Sequence, residues 1–252
     1  MLLYKYLTED KARKWLMRHD AILLTPPKFL NDESEFKLRR VPASEEEERE
    51  MFLSFGGGNN FEGYKERVMS SSFLDGEPNY MQENLSNRFG IVSLSAKPLG
   101  HMLWERYTNH SGVVVGYPAN NQTTQSNLTA RFFEWGPLFR VDYDDSPERN
   151  VLAKDFSDVA RNVTLKGTRW EYEAEWRFIG ELKNATKHPE GSNIFYTVPA
   201  HRDKIQRVIF GRDTGSEFKR DFCQWLGETS ASVEEIVLDG DPELKTHPYS
   251  PI

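Results

Sequence analysis

From Trp170 to Phe178 the chain alternates with a period of two. Trp170, Tyr172, Ala174, Trp176 and Phe178 are apolar or aromatic, while Glu171, Glu173, Glu175 and Arg177 are charged. Successive side chains of a strand point to opposite faces, so the alternation predicts a strand with an aromatic core face and a charged outer face. A helix would scatter the same residues around its circumference. Three carboxylates on one strand face stand roughly 6–7 Å apart, two residues of rise each. Such a row has to face water, a cation or a substrate. Spacing alone leaves open whether it is an exposed sheet face, partly compensated by Arg177, or a functional wall.

A chain of 252 residues allows one large domain or two small ones, and no linker argues for a division, so a single domain over 1–252 is expected. Aromatic residues make up 13% of the chain, enough for a ring-rich core with rings left over for a pocket. The formal net charge of -7 argues against broad binding to nucleic acid or to an anionic membrane, although Lys37, Arg39 and Arg40 form a local basic patch that could guide RNA. One cysteine, Cys223, excludes an internal disulfide framework and a cysteine-based zinc site. It falls on the amphipathic stretch 216–226, as a buried inert thiol would. The opening residues become charged too early for a signal peptide, and no apolar run reaches the ~18–20 residues of a membrane span. A cytoplasmic protein with no membrane partner is expected.

In chain order, 2–6 reads as a strand. Thr8 caps a helix running to about His19, with Ala12, Trp15, Leu16 and His19 on one face. A short strand at 21–24 stops at Pro26-Pro27. Ser44 and Glu47 form a capping box for a charged helix, and a second helical stretch covers 61–73. From Phe89 the texture changes to strands, at 89–95, 113–117, 138–143, 170–178, 194–198, 207–210 and 233–238. A helix over 216–226 and a short one near 155–161 interrupt them, and 120–127 is read as a loop. Helices first and strands later predict an α+β fold with a mixed, mostly antiparallel sheet.

Three groups of residues could carry chemistry. Lys5 and Tyr6 place a cation and a ring on the first strand. Ser93 and Ser95 share a strand face ahead of a helical turn holding Met102, Trp104 and Tyr107, with His101 and His110 at its ends. Neither histidine stands at a metal-ligand spacing, and no nucleophile elbow is present. The third group is Glu173-Ala174-Glu175. One carboxylate there could stabilise an oxocarbenium cation and the other take a proton from a nucleophile. Paired acids also suit glycoside hydrolysis or a Mg²⁺ site, and the spacing does not choose.

Seven pieces together resemble a bacterial domain-of-unknown-function family (number twenty-nine seventy-one). They are Leu3-Tyr4-Lys5-Tyr6, Asn31-Asp32 with Glu35, Ser93-Leu94-Ser95, Met102 to Tyr107, His110-Ser111-Gly112, Tyr172 to Arg177, and Ile205 to Gly211. The match spans nearly the whole chain, and the Glu-x-Glu-Trp-Arg piece is the most specific. Ser34 near the Asn-Asp turn and Leu103, inserted between Met102 and Trp104, depart from the pattern. That family in turn resembles the ADP-ribosyltransferase superfamily, which implies an ADP-ribosyltransferase-like fold and NAD as substrate. By this resemblance Glu175 is catalytic and Glu173 activates the acceptor. Lys5, Tyr6, Asn31, Ser95, Trp104 and Tyr107 would hold NAD, with Lys5 standing where the superfamily has His or Arg. The implied acceptor is RNA, DNA or protein, and the implied setting is a toxin or phage-defence effector with a possible antitoxin. A non-catalytic nucleotide- or partner-binding module and a metal-dependent nuclease on Glu171, Glu173, Glu175 and Asp32 are the alternatives.

Overall fold

The computed structural model describes residues 1–32, 39–40, 45–54, 58–68, 83, 85–122, 129–132, 136–145, 148–149, 163–237 and 244–250. The strands, in chain order, are β1 (Leu2–Leu7), β2 (Ala21–Leu23), β3 (Arg39–Arg40), β4 (Phe89–Ser95), β5 (Val113–Pro118), β6 (Asn120–Gln122), β7 (Thr129–Phe132), β8 (Gly136–Arg140), β9 (Asp142–Tyr143), β10 (Glu148–Arg149), β11 (Leu165–Lys166), β12 (Glu175–Glu181), β13 (Thr186–Glu190), β14 (Asn193–Pro199), β15 (Arg207–Phe210), β16 (Ser232–Val237) and β17 (Lys245–Pro248). Ten of them form one sheet in the order β17-β16-β15-β5-β1-β4-β12-β8-β7-β6. Within it only β15 and β16 run parallel. A separate three-stranded sheet, β13-β14-β2, stands beside it. The architecture is α+β and mostly antiparallel.

The sheet is covered on both faces. Leu3, Val115, Leu94, Trp176 and Phe178 belong to one core, closed by Phe218, Phe222 and Leu226 of the helix Ser216–Leu226. That helix is amphipathic with the 3.6-residue period that predicts it. Tyr4, Trp104, Val114, Ile209 and Ile236 form a smaller core, to which the helix His101–Thr108 contributes Trp104. Cys223 is half-buried on the helix Ser216–Leu226, and burial raises its thiol.

Where β1 and β4 meet, the sheet parts. β1 pairs with β5 over its whole length, but with β4 only through Tyr4 and Ser95. Beyond that pair Lys5, Tyr6 and Leu7 have no ladder partner on β4. β4 meanwhile keeps all seven pairs with β12. The gap between the two strands is the floor of the pocket described below.

Four expectations are corrected. The strand predicted over 170–178 begins only at Glu175, because Thr168–Glu173 is a 3₁₀ helix ending in left-handed Ala174. Trp170 and Glu173 are both buried there, and Glu171 is exposed. Three-residue spacing puts positions i and i+3 on one side of a 3₁₀ helix, so this period overrides the alternation. Spacing left open whether the charged face of β12 is exposed, and it is not, since Glu175 and Arg177 are 4% and 1% accessible. The helix after Thr8 becomes a π-helix over Ala12–Met17, which keeps Ala12, Trp15 and Leu16 inward. Finally, Val141 divides the strand expected at 138–143, and 120–122 is strand rather than loop. The helix near 155–161, the cap at Ser44, Glu35, Lys37 and 69–73 of the second helical stretch lie outside the described residues.

Candidate functional site

A cavity of about 210 Å³ opens between β1, β4, the π-helix, the segment around Phe29 to Asn31, and the Glu173–Arg177 stretch. Lys5 and Tyr6 enter it from β1, Ser93 and Ser95 from β4, and Tyr107 from the helix His101–Thr108. Glu173 and Glu175 form its far wall. The expected site residues therefore converge on one space, with one exception. Trp104 is fully buried behind the wall, donates from Nε1 to Pro98 O at 2.9 Å and packs edge-on to Tyr6 at 5.4 Å. It supports Tyr6 and does not line the cavity.

The two carboxylates are aimed by backbone geometry. In a regular strand Glu173 and Glu175 would point the same way at a fixed spacing. Here the 3₁₀ turn and Ala174, at φ 44°, turn the chain between them. Ala96 N–H holds the turn by donating to Ala174 O at 3.1 Å. Ser95 Oγ donates to Glu173 O at 2.6 Å and accepts from Lys97 N–H at 2.9 Å. Ser95 is thus a brace for the Glu173 backbone. Tyr143 OH accepts from Glu175 N–H at 2.8 Å.

Lys166, from the two-residue β11, joins the carboxylates. Its Nζ donates to Glu173 Oε2 at 2.6 Å and to Glu175 Oε2 at 3.2 Å. Arg177 grips Glu175 with Nε to Oε1 at 2.8 Å and Nη2 to Oε2 at 2.9 Å, and sends Nη1 to Val163 O at 2.7 Å. Burial by itself would raise the Glu175 carboxyl. Arg177, Lys166 and the Ser93 hydroxyl outweigh it and hold the group at about 2. Glu175 is therefore ionised at any physiological pH and already accepts from several donors.

Glu173 presents its other oxygen to Tyr107, whose hydroxyl donates to Oε1 at 2.6 Å and accepts from Asn31 Nδ2 at 2.9 Å. Burial and the neighbouring Glu173 push the Tyr107 hydroxyl well above its ordinary value, so it stays a proton donor. Lys5 is half-buried, and its Nζ donates to Ser93 O at 3.0 Å across the gap between β1 and β4. Burial first, and then the charge of Lys11, lowers its amine to about 8, against the pull of Glu175. At the rim Phe29 is 63% exposed, and Arg169 bonds Asp32 at 2.9 Å.

Lys166 escapes sequence reading because nothing periodic surrounds a two-residue strand. Arg177 is visible in the alternation, but as a surface counter-charge rather than a buried clamp. The expected His110-Ser111-Gly112 piece is structural. Ser111 Oγ donates to Glu9, and Gly112 packs its backbone against Leu7 O. Among the described residues, no group of three or more His, Cys, Asp or Glu is placed to hold a metal ion, and no helix is long and apolar enough to cross a membrane. The chain matches no protein-family model, no curated protein and no solved structure.

Proposed function

We propose that the protein is an NAD-consuming transferase that moves ADP-ribose to a nucleic acid or protein acceptor, on an ADP-ribosyltransferase-like fold. The observation that carries this reading is the convergence of Lys5, Ser95, Tyr107, Glu173 and Glu175 on one cavity at the parting of two strands. Lys5, Ser95, Tyr107 and the Glu173–Glu175 pair come from separate stretches of the chain, and the family resemblance singles out the same positions by motif alone. In this reading the bond between nicotinamide and ribose breaks, and positive charge develops on the anomeric carbon. Glu175, ionised at neutral pH, supplies negative charge beside it, and Tyr107 keeps Glu173 oriented as the acceptor of the incoming nucleophile's proton. The cavity is smaller than the ~300–1,000 Å³ usual for a whole ligand. It would therefore take the nicotinamide-ribose half, leaving the adenylate at the rim near Phe29.

A second reading, a binding module without turnover, is favoured by one fact. The Glu175 oxygens are already engaged by Arg177 and Lys166. A metal-dependent nuclease fits less well, because the Lys166 ammonium occupies the space between the carboxylates that a divalent ion would need.

The test is incubation with NAD labelled on its adenylate, alone and with RNA, DNA and cell extract. Label is expected in a macromolecule, and the Glu173→Gln and Tyr107→Phe variants should lose about 10²-fold or more of the rate. Both retain side-chain volume, and their melting temperatures show whether the fold is kept. Thermal stabilisation by NAD with neither label transfer nor free nicotinamide selects the binding module.

A further inference from the structure

We propose that Lys5 is a nucleophilic amine that forms an imine with a small anionic aldehyde entering the cavity. Three structural facts lead there. The amine lies inside a concave site, at the point where β1 has left β4, rather than on the surface. Its ammonium donates to a neutral acceptor, Ser93 O, whereas Lys166 and Arg177 have taken the carboxylates. The cavity lining also holds four cations, Lys5, Lys11, Lys166 and Arg177, against two carboxylates, Glu173 and Glu175, so it draws an anion.

The amine is also prepared for attack. With its value lowered to about 8, about one Lys5 in ten is neutral at pH 7, where an ordinary lysine is neutral about once in 2,500. Buried lysines of this kind serve as Schiff-base residues. In the step, the neutral Nζ attacks the aldehyde carbon, a C–N bond forms as the C=O π bond opens, and the carbonyl oxygen takes the proton that Nζ gives up. The carbinolamine hydroxyl then takes a second proton from solvent and leaves as water as the nitrogen lone pair forms the C=N bond, and the protonated imine carries the positive charge of that second proton. Open-chain phosphorylated sugars present such an aldehyde, and so does any ribose phosphate freed at its anomeric carbon. The proposal requires no NAD chemistry and goes beyond the transferase reading.

The probe is glyoxylate with cyanoborohydride, which reduces an imine to a stable secondary amine. Sites are read by fragment-resolved mass spectrometry, so that the Met1 α-amino group is separated from Lys5. In the native chain Lys5 should be modified at least ~10-fold faster than exposed Lys183 and Lys204, with the rate rising to half its maximum near pH 8. Burial sets that midpoint first, then Lys11 from the helix, against Glu175; Lys166, Arg177, Glu173 and Tyr107 also line the cavity around it. Lys11→Met should lower the neutral fraction and also slow capture of the anion, so both effects reduce the rate, and Lys5→Arg should abolish the selective adduct. Modification of Lys5 no faster than Lys183 and Lys204 overturns the proposal, and because the native chain is used, no folding defect can produce that result. Label transfer from NAD is measured separately on the unmodified native chain, so failure of this proposal and failure of the transferase reading are distinguishable.

Discussion

Glu175 is the residue whose environment departs most from what its neighbours in sequence suggest. An acid in an alternating strand reads as solvated, yet this one is buried against a guanidinium that is buried too. Removing it strands Arg177 and Lys166 without their partner, so Glu175→Ala should cost about 3–5 kcal/mol in urea denaturation. Glu175→Gln should cost less, but it is no neutral probe of chemistry. The same clamp makes stability acid-sensitive. The folded-state value near 2 lies below the ordinary 4.5, so the contribution is complete above pH 4.5 and is lost as pH falls towards 2. Stability measured across that window should drop by on the order of 3 kcal/mol more in the native protein than in Glu175→Gln. Lys5 carries the opposite sign of cost. Its amine is lowered from 10.5 to about 8, so holding it charged below pH 8 costs stability, and that cost is relieved as pH rises from 8 to 10.5. Lys5→Met should therefore raise the stability at pH 7 by about 1–3 kcal/mol while removing the amine from the site.

Among the elements, the turn between the helix His101–Thr108 and β5 is the most constrained. Asn109 and His110 take left-handed backbone angles, and Gly112 sits at φ 101°. A Cβ at Gly112 would lie 2.3 Å from Leu7 O, a backbone atom that cannot yield without moving β1. Gly112→Ala should therefore lower stability by more than about 2 kcal/mol, read as a shifted denaturation midpoint, and should weaken the cavity because β1 carries Lys5. A simple amphipathic pattern made the strands β1, β4 and β15 and the helix Ser216–Leu226 legible from sequence. The 3₁₀ turn over Thr168–Glu173 was not legible. Its signals are a capping Asp145 more than twenty residues away, whose side chain receives the Thr168 N–H at 2.8 Å, and the tertiary burial of Trp170. Neither is visible in a local window.

At the scale of the whole molecule, charge is distributed against its average. The chain carries -7 overall, yet the cavity lining is net positive. A phosphate-bearing ligand should therefore bind in a salt-dependent way despite the acidic chain. If NAD is the ligand, a concentration 100-fold above Kd should stabilise the protein by about 2.7 kcal/mol, or roughly 5–10 °C in Tm. That shift should shrink as ionic strength rises, and a shift indifferent to salt would mean that the cations do not meet the phosphates. The sequence by itself determined the strand-rich α+β character, because alternation and helical periods are local and reflect burial on one face. The resemblance carried by its motifs singled out Lys5, Tyr6, Asn31, Ser95, Tyr107, Glu173 and Glu175, and these residues line one cavity. Only the tertiary structure decided that Trp104 stands behind the wall, that Lys166 and Arg177 form ion pairs with the carboxylates, and that β1 leaves β4 after a single pair. Those facts depend on which distant segments share a low-dielectric space, where a charge must find its partner, and no local pattern records that choice.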